Sequence, residues 1–173
     1  MDTENDVQTS KWKSLFWEYF PYVLVIIGII LFKSFVMAPI KVNGDSMLTS
    51  LYSGDVMILN RIEYRFSDIE RFDIVVVDAD EEYIIKRVIG LPGERVEYLE
   101  NTLYIDGEVV EDVYGSQPTE DFAVDVPLDS YFVLGDNRTN SIDSRIFGAF
   151  PKKKILGKTN FIIFPFDRMG SLE

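Results

Sequence analysis

Histidine and cysteine are both missing from this 173-residue chain. Without imidazole there is no Ser-His-Asp triad and no histidine base, and without a thiol there is no cysteine nucleophile and no disulfide. Zinc sites of the usual Cys/His kind are excluded with them. Chemistry is left to hydroxyls, carboxylates, lysine, arginine and backbone amides, or to a hard cation held by oxygen. Positive charge is also scarce. Lys and Arg total 17 against 29 Asp and Glu, a net charge of −12, which argues against nucleic acid as a partner, since that needs a basic face for phosphate. The length suits one domain with a core of its own.

What is present begins with an apolar run. Residues 19–32 carry no charge, Lys33 interrupts, and 34–40 are again uncharged. As a helix, 19–40 would be about 33 Å long at ~1.5 Å per residue, enough to cross a bilayer core. Lys33 lies near one end, where its stem can carry the ammonium back to the headgroups. Val36-Met37-Ala38 has the small-x-small look of a signal-peptide cleavage site, but Pro39 follows it and lacks the amide hydrogen an extended cleavage site needs. The run is therefore read as an uncleaved transmembrane helix. Lys11 and Lys13 precede it and Lys33 and Lys41 flank its far end; a cytoplasmic N-terminus is the favoured orientation. The expected organisation is a cytoplasmic tail over 1–18, a lipid-embedded anchor over 19–40 and an extracytoplasmic domain over 41–173. The tail holds two lysines against four acids, whereas the part beyond residue 40 holds 14 basic against 25 acidic residues. The acidity thus belongs to the globular part, which an anionic membrane surface would repel unless Lys152-Lys153-Lys154 faced it as a basic patch; a solvated turn is the plainer reading of those lysines.

Beyond residue 40 no long stretch has helical periodicity. Short β-branched runs at 56–59, 74–77, 83–89, 96–99 and 161–164 alternate with turn residues and predict a mainly β domain. Asp106-Gly107 between two apolar runs is a hairpin signal, and Leu91-Pro92-Gly93-Glu94 is a further turn. Residues 111–130 are acidic, contain Pro118 and Pro127, and read as a surface excursion.

Three stretches could carry chemistry. Asn43-Gly44-Asp45-Ser46-Met47 puts a serine in a glycine-containing turn, where it could stand exposed beside its own amide; such turns are also common without function. In Tyr83-Ile84-Ile85-Lys86-Arg87-Val88-Ile89, strand alternation gives Lys86 the face of Ile84 and Val88, and Arg87 the face of Ile85 and Ile89. Burial among isoleucine and valine disfavours the ammonium and lowers a lysine pKa from about 10.4 toward neutrality, as a lysine base requires. The alternative is a lysine that reaches a buried carboxylate or a sheet edge. The third stretch, residues 135–145, is Gly-Asp-Asn-Arg-Thr-Asn-Ser-Ile-Asp-Ser-Arg. It can satisfy its backbone through Asx turns and pair Asp143 with Arg145; as a bare pattern it could also be a cation loop through Asp136, Asn140 and Asp143.

Together the three stretches resemble the bacterial type I signal peptidases, membrane-anchored serine proteases that remove signal peptides from exported preproteins. The resemblance runs from the anchor to near Phe164. It implies a largely antiparallel β catalytic domain at the outer membrane surface, with Ser46 as nucleophile, Lys86 as general base and Ser141 as the hydroxyl that orients the amine. Asp143 and Arg145 are then the supporting pair, and Met47 and Arg87 match positions around the site. Preproteins and the lipid bilayer are the implied partners, with no cofactor or metal, in a monomer. An anchored enzyme would meet a membrane-embedded leader at high effective concentration, and the substrate backbone would add as a strand at a sheet edge.

Three features depart from the family pattern, the last of them peripheral. Leu48 is followed by Thr49-Ser50 where the family usually has Pro-Thr. Gly44 stands where some members carry a serine that donates to the oxyanion, so the chain is more like the Gram-positive branch. Thr139 replaces an acid the family often has. Two other classes compete: a self-cleaving Ser-Lys peptidase of the repressor type, which would need a DNA-binding module that residues 1–40 do not supply, and an inactive anchored β module serving as scaffold. Ser10 to Lys13 in the tail has Ser-x-x-Lys spacing, which is read as chance.

Overall fold

The computed structural model describes residues 3–115 and 117–172, with the side chains of 3–14 and 31–35 outside the described set. It divides into two units, Met1–Val36 and Met37–Glu173.

The first unit is one helix, α1 (Thr3–Val36). Among the described residues no helix is long and apolar enough to cross a membrane. Residues 31–35 of the expected anchor, and most of the expected tail 1–18, fall on side chains outside that set. The expected far boundary at residue 40 is corrected, because the helix stops at Val36 and Met37–Lys41 is a strand, β1. Pro39 accounts for this: it disfavours helix at the residue before it and cannot donate, and both are tolerated on an edge strand.

The second unit is mainly β. After β1 come β2 (Val56–Asn60), β3 (Ile74–Asp78), β4 (Tyr83–Gly90), β5 (Arg95–Leu99), β6 (Thr102–Ile105), β7 (Glu108–Val110), β8 (Phe122–Asp125) and β9 (Ser130–Leu134). The short helix α2 (Ser144–Phe147), then β10 (Phe150–Pro151), β11 (Ile155–Phe164) and β12 (Gly170–Ser171) complete it. One sheet runs β1-β2-β11-β3-β4-β9-β10, with β12 beside β11; the other runs β7-β6-β5-β8. Every pairing is antiparallel.

The turn chemistry acts as expected. Asp106 and Gly107 both have positive φ (51° and 84°) between β6 and β7, the geometry that matches a two-residue hairpin to strand twist. Gly93 has φ 85°, and the Glu94 N–H donates to the Leu91 carbonyl at 3.2 Å. Arg71 then clamps Glu94 at 2.6 Å. Lys152–Lys154 form a turn in which Lys154 lies 2.6 Å from Asp80 and Lys152 lies 3.9 Å from Asp68, so two of the three lysines already meet acids of the same domain.

Two expectations need correction. The run at 161–164 is only the end of the ten-residue β11, whose first six residues include Gly157, Lys158, Thr159 and Asn160 and so give only a weak hydrophobic signal. Residues 111–130 are not purely an excursion. Within them β8 pairs with β5, and Thr119 and Val126 are buried.

Alternation along β4 sets up the site. Ile84 and Val88 enter a core with Val75, Val77, Tyr131 and Val133, and Ile89 enters a second with Val96, Phe132 and Leu134. Met47, Leu51, Val42, Met57, Ile74 and Ile162 make a third, so the segment carrying the candidate nucleophile is pinned by its own apolar side chains. Phe132 joins the two sheets: it is buried, and its ring lies 5.5 Å from that of Phe122 on β8. Phe132→Ala is expected to lower unfolding free energy by about 3–5 kcal/mol through the lost transfer energy and the cavity left behind, read as a lower urea midpoint with unchanged slope.

Candidate active site

Ser46 and Lys86 come from segments 40 residues apart, yet Lys86 Nζ and Ser46 Oγ are separated by 2.7 Å. Each is delivered by a different local device. Lys86 sits mid-strand, paired across the sheet with Val75, and is only 4% exposed. Ser46 sits in a turn opened by Gly44 at φ 82° and closed by the Leu48 N–H donating to the Asp45 carbonyl at 3.2 Å. Val42 and Gly54 bond the ends of this loop to one another through Asp55 and Val42 carbonyls, and Met47, 1% exposed, plugs it into the core. Among the described residues the Ser46 N–H donates no hydrogen bond, which leaves it free for an oxyanion. The Gly44 N–H instead donates to Ser53 Oγ at 3.3 Å.

Burial pushes the Lys86 amine down to about 8, with Arg145 adding to the effect and Asp143, Glu82 and Asp136 opposing it. Near neutral pH a useful fraction is therefore unprotonated and can accept the serine proton. The carboxylate alternative for Lys86 is not realised, since its hydrogen-bond partner is the serine.

The third stretch wraps this pair. Asp143 accepts from Arg145 Nε and Nη2, both at 2.9 Å, and from the Gly135 N–H at 3.0 Å, and it caps α2. Burial alone would raise its carboxyl, but Arg145 and the Gly135 N–H more than offset that and hold it below the usual carboxylate range. Ser141 Oγ is buried without a partner of hydrogen-bonding geometry. The direct Ser141–Lys86 bond implied by the resemblance is therefore not formed; the hydroxyl lies close enough to Asp143 to favour its ionised form.

Arg87 turns the opposite way from Lys86 and grips Asp136 with two bonds, Nε to Oδ1 at 2.9 Å and Nη2 to Oδ2 at 2.8 Å. Both side chains are nearly inaccessible. Ser50 donates to the same carboxylate at 2.6 Å, and the Asn137 N–H donates to the Ser46 carbonyl at 3.0 Å. These contacts tie the nucleophile turn, β4 and the 135–145 loop into one unit. The roles of Asp136, Ser50 and Asn137 escaped sequence reasoning. The available signal was Arg87 on an apolar strand face, which demands a buried anion but does not say which of 29 acids supplies it.

A cleft of about 430 Å³ opens at Ser46 and Lys86, lined also by Asp45, Glu82, Asn140 and Ile142. It adjoins a cleft of about 700 Å³ lined by Ala38, Pro39 and Ile40 of β1 and by Val76, Ile85 and Leu156. Lys41, Asn43, Arg61 and Glu82 also line it, so an extended chain would meet both apolar and charged walls there.

The fold and site together bring a serine hydroxyl and a buried lysine amine into hydrogen-bond contact on an antiparallel β scaffold, in a chain without histidine. Residues 14–164 match the family Peptidase S26, described as signal peptidase. The chain is 37% identical to signal peptidase I S of Bacillus subtilis (strain 168), over 98% of each chain, and 38% identical to signal peptidase I of Bacillus caldolyticus, over 89% of this chain and 92% of that one. A crystal structure of a signal peptidase I from Enterococcus faecalis V583 is similar with a TM-score of 0.50 at 36% identity, covering 53% of this chain and 97% of that one. The chain belongs to the signal peptidase I family of S26 peptidases and is an enzyme, which sets aside the scaffold alternative.

Gly135 tests how tight this packing is. A Cβ there would collide with Ser141 Oγ and the Ser46 carbonyl oxygen. Gly135→Ala is expected to reduce peptide cleavage by about 10²-fold, because an ångström-scale displacement of a reacting group costs roughly that much.

Proposed function

We propose that the protein cleaves the signal peptides of exported preproteins with Ser46 as nucleophile and Lys86 as general base. The observation that carries this reading is the 2.7 Å approach of a buried, pKa-lowered lysine to a serine hydroxyl in a chain without histidine. Neutral Lys86 takes the hydroxyl proton as Ser46 Oγ attacks the scissile carbonyl, and the developing oxyanion meets the Ser46 N–H. The ammonium so formed gives its proton to the leaving amine as the peptide bond breaks, leaving an acyl-enzyme. The amine then deprotonates a water that attacks the ester, and the serine hydroxyl is restored.

In this reading Asp143 and Arg145 fix the loop that carries Ser141, Arg87 holds the nucleophile turn through Asp136 and Ser50, and Met47 locks that turn to the core. Ser141, expected to orient the lysine amine, acts on Asp143 instead and favours its ionised form. The signal peptide lies in the cleft along β1 and β4, adding its backbone as a strand. The apolar part of α1 anchors a single-pass monomer with its N-terminus in the cytoplasm and its catalytic domain on the outer face, which brings the enzyme to leaders held in the same bilayer.

The test is cleavage of a preprotein by the detergent-solubilised chain. Ser46→Ala and Lys86→Met are each expected to lose about 10²–10⁴-fold or more in rate, the usual worth of a general base; full activity in either sinks the assignment. In the wild type the rate should climb with pH through an apparent pKa of about 8. A plateau extending below pH ~6 would contradict a lysine base.

The same lysine affects stability with a definite sign. Its amine titrates near 10.5 when solvated and near 8 when folded. Between those values the unfolded chain binds more protons, so stability rises with pH; below about 8 the native state carries the full cost of a buried ammonium. Lys86→Met is therefore expected to raise the melting temperature at pH 7, with the gap closing as pH rises through that window.

A further inference from the structure

The arginines that shape the 135–145 loop are held from outside by a segment that belongs to no recognised motif. Arg138 Nε donates to the Gly135 carbonyl at 3.0 Å. Its other nitrogens leave the loop altogether and enter the second sheet's territory: Nη2 meets Asp112 Oδ2, and Nη1 meets Thr119 Oγ1 at 3.1 Å and the Tyr98 hydroxyl. The pair is almost dry, with side chains 1% and 6% exposed. The other Asp112 oxygen accepts the N–H groups of Tyr114 at 3.1 Å and Gly115 at 3.4 Å, which folds the segment over the arginine. Gly115 leaves room for it, since a Cβ would stand 3.0 Å from the guanidinium carbon. One residue earlier, the Tyr114 ring covers the Arg87 guanidinium at 3.7 Å, and it also packs on Phe72.

We propose that Asp112 and Tyr114 are positioning residues for peptide cleavage, holding Arg138 and Arg87 and through them the backbone that faces the nucleophile. Neither lines the cleft at Ser46 and Lys86, and neither takes part in bond making. The route to the reacting atoms is short. Gly135, held by Arg138, donates to Asp143, and the Asn137 N–H two residues on grips the Ser46 carbonyl. Arg87 carries Asp136 and hence Ser50 of the nucleophile turn. Release of either arginine lets the loop recede from Lys86 and water reach the amine. Relief of burial, the largest cause of its lowered proton affinity, moves the acid limb of the rate profile to higher pH while the rate falls; the departing Arg145 acts in the same sense, the departing Asp143 and Asp136 oppose it, and Glu82 stays in place. The inference rests on Ser46 and Lys86 being the reacting pair.

The experiment uses the full chain in detergent micelles and a fluorogenic peptide with a small-x-small cleavage site. Asp112→Asn and Tyr114→Leu are each compared with wild type for kcat, KM, pH profile and melting temperature. Glu94→Gln serves as control, since it breaks a comparable pair with Arg71 away from the loop. A loss in kcat of about tenfold or more with KM within about threefold, and an acid limb shifted upward, supports the proposal. Rescue by Asp112→Glu but not by lowering the assay temperature supports it further. Because Asp112→Asn leaves a buried arginine unpaired and could prevent folding, Tyr114→Leu, which changes no charge, decides alone in that event. Unaltered kcat and pH limb in the folded variants would overturn the proposal, as would an equal kcat loss in Glu94→Gln at the same drop in melting temperature. Retained cleavage by Ser46→Ala would overturn the dyad reading beneath it and the inference with it.

Discussion

The burial of one ammonium-bearing side chain is the constraint around which this domain is arranged. Lys86 sits mid-strand with isoleucine and valine on its own face and a serine hydroxyl at its tip. Placing it there costs stability, because a charge in a low-dielectric site must be compensated or discharged. The outcome is a weakened hold on the proton: among the described residues no carboxylate bonds the amine, the nearest anions act only at a distance, and the pKa falls to about 8, so that a fraction of the amine is neutral near pH 7. The cost and the chemistry have the same origin.

Such a site must be held open against collapse, and arginine–carboxylate pairs do most of that work. Arg87–Asp136, Arg145–Asp143 and Arg138–Asp112 are all largely or wholly buried; the first and last tie other segments to the 135–145 loop, and Arg145–Asp143 braces the loop from within. Bidentate arginine pairs suit this role because their geometry is specific even where their net contribution to stability is small. Three of the acids beyond residue 40, Asp112, Asp136 and Asp143, are thus structural, each matched to one guanidinium group.

Much of this was legible in the sequence, for local reasons. Strand period alone assigned Lys86 and Arg87 to opposite apolar faces, and turn glycines marked the hairpin and the nucleophile loop. The missing histidine made an unusual lysine worth attention. What could not be read depends on pairing at a distance. Arg87 and Asp136 lie 49 residues apart and Arg138 and Asp112 lie 26 apart; no local spacing says which acid meets which base. Strand β1 was absorbed into the apolar run before it because hydropathy does not distinguish the end of a helix from an edge strand, and only Pro39 hinted at the break. The first half of β11 was missed because sheet neighbours on both sides, rather than its own side chains, make it a strand. Ser141 illustrates a different limit: a resemblance carries over a residue, but its bonding partner must be observed.

Membership of the signal peptidase I family fits the lysine base proposed for this chain. The decisive quantity is the protonation state of Lys86 itself. Selective ¹³C labelling of lysine side chains, with the Lys86 resonance assigned by comparison with Lys86→Met, would follow its titration directly by NMR. A midpoint near 8 is the expected result, while a midpoint near 10.5, that of a solvated lysine, would contradict a buried amine acting as base.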